Sequence, residues 1–282
     1  MLGKLIKHEW KGLYKIGGIM LLATFAVALI GGLYFRSPMW VQLFNENGDI
    51  DNLASMTWLL MGIGSLVLCI LMVVGLIYGM VIYLGVRFYR SMYTDEGYLA
   101  HTLPVTPHQL LGSKILVGGL WMLIANIVGM VSIFLMFFSM MASVFEGQQL
   151  GMSFWEIMRE MWEGFTSLYE NELGINVTGY MIYLVALFIV GSFSSLCILF
   201  GAITIGQLSK KYKAVMGILV YFGLLILISI IEMVISMVSM ASSIMDGEIY
   251  MNTMFSPIIS IAISVGLYFL SHYIIKRKLN LD

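Results

Sequence analysis

Six apolar runs alternate with short polar segments along this chain, at about residues 16–35, 57–88, 115–145, 179–208, 215–241 and 257–275. Each reaches the roughly 20 residues that a helix needs to cross a hydrocarbon core. The second and third extend to about 30 residues. At roughly 1.5 Å per residue that is some 45 Å, so they tilt or project beyond a core about 30 Å thick. The pattern predicts an all-α membrane protein, a single transmembrane domain over 1–282 with six spanning helices.

Two further stretches are amphipathic rather than apolar. In residues 1–15, Lys4, Lys7, Lys11 and Lys15 recur at helical spacing and share a face, with Leu2, Ile6 and Leu13 opposite. Trp10 and Tyr14 suit the depth of the headgroups. The stretch reads as an interfacial helix, its lysines near anionic lipid, rather than as a cleavable signal peptide or a simple basic flank. Within the extracellular segment 146–178, Ser153–Leu168 sets Phe154, Trp155, Met158, Met161, Trp162 and Phe165 against Glu156, Arg159, Glu160 and Glu163. That is a second amphipathic helix. It either floats on the outer leaflet, the preferred reading, or caps the outer end of a substrate path.

Composition supports the bilayer as solvent. The chain is 60% hydrophobic and 11% charged, with mean hydropathy +0.93. A soluble domain carries about a quarter charged residues. Cys69 and Cys197 both fall inside apolar runs, which points to packing rather than a disulfide. The net charge of −1 is uninformative, but its distribution is not. With the amino terminus on side one, that side holds Lys4, Lys7, Lys11, Lys15, Arg87, Arg90, Lys114, Lys210, Lys211, Lys213, Lys276, Arg277 and Lys278. Side two holds only Arg36 and Arg159. Lys and Arg collect in cytoplasmic loops, so side one is expected to be the cytoplasm, with both termini inside.

The densest polar segment is Thr94–Leu116, between spans two and three. Thr94 can cap a short helix with Asp95 and Glu96 in its first turn, where the helix dipole favours negative charge. Pro104 stops it. Thr106-Pro107-His108-Gln109 forms a capping box with proline at the first helical position, and Val105 and Leu110 are placed as a hydrophobic staple across it. From Pro107 the helix can run through Lys114 into span three. The segment 94–114 therefore encodes a short helix, a corner and a stiff return to the membrane.

These residues carry a resemblance. Glu96-Gly97-x-Leu99, then Leu103-Pro104-Val105-Thr106, then Gln109-Leu110-Leu111-x-Ser113-Lys114-Ile115-Leu116 is similar to the stretch after the second span in membrane subunits of type-2 ABC transporters. The motif covers about 23 residues, and the layout of an interfacial helix, six spans and both ends inside resembles the family along the whole chain. This sequence departs from the pattern at Tyr98, where threonine is usual, at Leu103, where Ser or Thr is usual, and in being two residues shorter between Gly97 and Pro104. The resemblance implies the type-2 ABC exporter permease fold. It makes 94–114 a coupling segment that docks on an ATP-binding subunit through Asp95, Glu96, Gly97, Tyr98, Leu99, His101 and Pro104. It further implies two copies of that ATPase, a second permease subunit of the same or a related chain, and ATP with Mg bound by the ATPase rather than by this chain.

The sequence lacks the phosphate loop G-x-x-x-x-G-K-S/T; Gly112-Ser113-Lys114 is a distant echo with the wrong spacing. The chain is thus expected to be a transport subunit, not an enzyme, with lipids as neighbours and no nucleic-acid partner. His8, His101, His108 and His272 form no metal-binding pattern and read as interfacial polar residues. Glu232 is the only acid inside a predicted span, where an unpaired charge costs at least about 2.5–3.5 kcal/mol. It is either a substrate or gating contact, or a structural hydrogen-bonding group facing a neighbour such as Asn126 or Ser195. Gly75-x-x-x-Gly79 and the Gly191–Ser195 cluster allow close helix approach. The expected function is the permease of an ATP-driven exporter in a bacterial plasma membrane, moving an amphipathic or hydrophobic substrate such as a peptide, antibiotic or lipid. The alternative is a secondary transporter or membrane sensor without an ATPase. A secondary transporter should carry several membrane-embedded charges or broken helices, and only Glu232 qualifies.

Overall fold

The structure, a computed structural model, describes residues 2–42, 53–94, 97, 106–147, 154–168, 170, 177–209, 211–246 and 251–277. Among these it is helical throughout: α1 (Leu2–Phe35), α2 (Pro38–Gln42), α3 (Leu53–Tyr93), α4 (Pro107–Gly147), α5 (Phe154–Ser167), α6 (Val177–Gly206), α7 (Lys213–Asp246) and α8 (Met251–Arg277). Six of these helices are long and apolar enough to span a membrane: α1, α3, α4, α6, α7 and α8. A spanning helix satisfies all of its backbone groups internally, which is why lipid admits it. Large apolar side chains such as Leu22, Leu33, Ile82 and Val238 stand exposed on these helices. Water would penalise that surface by about 25 cal/mol per Å², whereas acyl chains do not.

Five of the six expected runs lie wholly inside one helix. The fourth ends two residues early, at Gly206, because the chain turns there. The N–H groups of Gln207, Leu208 and Ser209 bond back to carbonyls of residues 203–206 before α7 begins. A larger difference concerns residues 1–15. They do not form a separate helix: α1 is continuous over 34 residues. Nothing at the 15/16 junction removes a backbone donor or forces a non-helical angle, and Gly17-Gly18 only weakens a helix by about 1 kcal/mol per residue. Lys4, Lys7, Lys11 and Lys15 are exposed and Leu13 is buried, as the periodicity requires.

The chain divides into two compact units. Unit two comprises Lys15–Gly79 and Ile124–Val185. Its core gathers Ala28, Phe35, Trp40, Cys69 and Met136. Pro38 opens α2 in the favoured first position, Phe35 meets Trp40 edge-on at 4.9 Å between centroids, and the Trp40 indole N–H donates to Ser143 Oγ at 3.0 Å. Gly31 and Gly32 face the side chains of Met136 and Leu135, whose tips fill the space a Cβ would take. Cys69 packs as a small hydrophobe and both cysteines are free thiols.

Unit one comprises Met1–Tyr14, Met80–Leu123 and Ala186–Asp282. Phe88 stacks on Phe200 at 4.0 Å, nearly parallel, and Tyr93 shares a hydrogen bond of 2.8 Å with Thr204, so the end of α3 is fixed along α6. Ser194 and Ser264 are hydrogen-bonded across α6 and α8, and Ser194 also bonds the Ser260 carbonyl at 2.9 Å. The small residues of the 191–195 cluster thus do bring helices together, but through serines. Gly191 and Gly75 face open space. Among the described glycines the closest backbone approach joins Gly206 to Gly217, which no spacing motif marks.

Candidate functional site

Three helices bring ionic groups together in unit one. Glu9 comes from α1, Arg87 and Ser91 from one face of α3 a turn apart, and Lys114 from α4. Lys114 Nζ donates to Glu9 Oε1 at 2.6 Å and to Ser91 Oγ at 2.7 Å. Its side chain is only 5% exposed. Arg87 Nε lies 3.5 Å from Glu9 Oε2, an ion-pair contact too long to satisfy that buried donor. Arg87 Nη1 instead donates to the Gly12 carbonyl at 3.1 Å, which also accepts the Tyr83 hydroxyl at 3.0 Å. A Cβ on Gly12 would occupy the place of the Arg87 guanidinium, which would have to swing away. The group lines a half-open cleft of about 20 Å³ with Leu13, Leu84, Phe88, Val117 and Phe200.

Burying such ions costs several kcal/mol each unless they are paired and their remaining donors and acceptors are satisfied. Lys114 meets that condition among these residues with a carboxylate and a hydroxyl. The result is a three-way tie of α1, α3 and α4 that no other chemistry in the cleft provides.

The tie brackets the segment between α3 and α4. Ser91 stands three residues before Thr94, whose hydroxyl donates to the Arg90 carbonyl at 2.6 Å and closes the last turn of α3. Gly97 is buried, and its N–H donates to the Thr94 carbonyl at 2.7 Å. A Cβ on Gly97 would lie 2.5 Å from the backbone carbonyl of Met92, so only glycine fits against the end of α3. On the far side, Gln109 N–H bonds Thr106 Oγ1 and Thr106 N–H bonds Gln109 Oε1, each at 3.4 Å. That is the predicted capping box, and α4 runs from Pro107 without a break through Lys114. His108, one residue into α4, bonds the Tyr268 hydroxyl at 2.9 Å and stacks on His272 at 3.7 Å, joining the start of α4 to α8.

Of the expected docking residues, Gly97 is thus placed. Asp95, Glu96, Tyr98, Leu99, His101 and Pro104 lie outside the described residues, as does the staple residue Val105. Glu232 is half-buried on α7. Among the described residues no three His, Cys, Asp or Glu side chains converge as a metal site.

Glu9 carries a signal in the sequence. At 100° per residue it falls on the apolar face of α1 with Leu2, Ile6 and Leu13, opposite the lysines. An acid on an apolar face announces a buried cation. Arg87 and Lys114, counted among the side-one charges that orient the chain, lie in α3 and α4 and are held in this tie. The pairing of His108 with His272 leaves no trace in local spacing. No known protein family matches the chain, and neither a curated protein nor a solved structure matches it.

Proposed function

We propose that this chain is the permease subunit of an ATP-driven exporter resembling the type-2 ABC transporters, set in a bacterial plasma membrane with both termini in the cytoplasm. In this reading the 94–114 segment receives force from a separate ATPase, present in two copies and carrying ATP and Mg. A second permease subunit, the same or related, completes the membrane half. The substrate is amphipathic or hydrophobic.

What carries the reading is the anchoring of both ends of a motif-bearing segment. A lever must transmit displacement rather than absorb it. The carboxylate–lysine tie, the Gly97 contact and the capped start of α4 stiffen the two ends of residues 95–105 against α1, α3 and α8. Tyr98 and Leu99 serve as apolar anchors and Asp95, Glu96 and His101 as charged contacts on the ATPase.

The test is co-purification with the chromosomally adjacent ATPase, followed by crosslinking from Glu96→Cys or Tyr98→Cys. The expected result is an adduct with the ATPase from both positions; an ATPase that co-purifies yet forms no adduct removes the docking role. Glu232 is proposed as a substrate or gating contact on α7. Glu232→Gln keeps the shape and removes the charge, and is expected to reduce substrate-stimulated ATPase and transport while leaving the complex assembled. Unchanged transport would return Glu232 to a structural role.

A further inference from the structure

Helix α5 carries four large apolar groups that water would not tolerate as a set: Trp155, Met161, Trp162 and Phe165 are all exposed, Trp155 by 74%. Trp162 and Phe165 stack at 5.9 Å and extend one continuous apolar strip. Glu156, Arg159, Glu160 and Glu163 occupy the opposite face, with Arg159 bonded to Glu163 at 2.8 Å one turn on. A helix divided this sharply needs two solvents at once.

Two observations identify the second solvent. The helix is held between spans: α4 ends at Gly147, seven residues before Phe154, and α6 starts at Val177, ten after Ser167. And Trp155 packs against Phe138 at 6.1 Å between centroids. Phe138 lies inside the spanning stretch of α4, which runs on to Val144. A ring touching Phe138 therefore lies against the apolar flank of a helix long enough to span the membrane. The polar face carries three acids to one arginine, which suits a leaflet surface with little negative charge.

From this geometry we infer that α5 lies in the membrane interface, with Trp155, Trp162 and Phe165 seated at the boundary of headgroups and acyl chains and Glu156, Glu160 and Glu163 facing water. The lipid leaflet is its partner. The inference stands whether or not the chain is a permease.

The test uses the full chain in phosphatidylcholine vesicles, with an environment-sensitive maleimide fluorophore at Trp162→Cys, Phe165→Cys or Glu160→Cys. Cys69 is buried and Cys197 lies within α6, so unsubstituted protein gives the background. The label at 162 and at 165 is expected to lose most of its emission to nitroxide-bearing phosphatidylcholine and to be spared by iodide. The label at 160 should show the reverse. Equal iodide quenching at all three positions overturns the inference, because α5 is then in water. Protection of 162 and 165 from both quenchers also overturns it, because protein rather than lipid then covers the strip. Position 165 keeps the test decisive if loss of Trp162 disturbs the helix.

Discussion

Lys114→Met is expected to destabilise the protein by about 3–5 kcal/mol, the range for breaking a buried ion pair by removing one partner. Methionine fills nearly the same volume with an unbranched chain, so packing is retained and the charge alone is lost. Glu9 would keep only Arg87 at 3.5 Å, and Ser91 would lose the ammonium donor. Glu9→Gln combined with Lys114→Met neutralises the closer pair but leaves Arg87 without its carboxylate, so it should recover part of the loss and cost less than the two single changes summed. Thermal unfolding of the detergent-solubilised protein across the four members of that cycle reads the coupling. If the two single losses simply add, the ionic tie is not what holds α1 to α4, and the stiff-lever argument loses its base. Under the proposed function the single variant should also uncouple ATP hydrolysis from transport before it abolishes assembly.

Gly206→Ala is the second change with a large expected effect. A Cβ there would lie 2.4 Å from Cα and N of Gly217 and 3.1 Å from the Lys213 carbonyl. All of these are backbone atoms, so no side-chain rotation relieves the overlap. The turn between α6 and α7 must open, at a loss of about 1–3 kcal/mol or more. Gly217→Ala should be milder, since its nearest contact, Ile203 Cα, is 3.3 Å away and needs to yield only a few tenths of an ångström. Gly223→Ala, on α7 with nothing within 4 Å, should be neutral or stabilising by up to about 1 kcal/mol. Melting temperatures in that order support close backbone packing at the turn. A Gly206→Ala protein as stable as Gly223→Ala would refute it.

The glycines also show where reading a sequence stops. Gly75-x-x-x-Gly79 has the spacing that favours close approach, yet Gly75 meets nothing and a Cβ on Gly79 would touch only the flexible tip of Met20. Gly206 and Gly217 have no such spacing and, among the described glycines, make the tightest backbone contact. Spacing states which residues share a face; it does not state what the face meets. Glu9 shows the same limit from the other direction. Its position on an apolar face calls for a cation, but the chain offers fifteen, and only packing selects Lys114.

Sequence alone determined the solvent and the local grammar. Transfer of apolar side chains from water to lipid is summed residue by residue along a run, so six spans could be counted without knowing their neighbours. Capping at Thr106–Gln109 and amphipathicity in Phe154–Ser167 depend on groups within four residues of one another, and both took the form the sequence predicts. Tertiary structure alone decided that Glu9 reaches Lys114 across 105 residues and that His108 stacks on His272. Those choices rest on pairing buried charges and rings between distant helices. The energy of such a pair belongs to neither residue's own neighbourhood, so no local pattern can encode it.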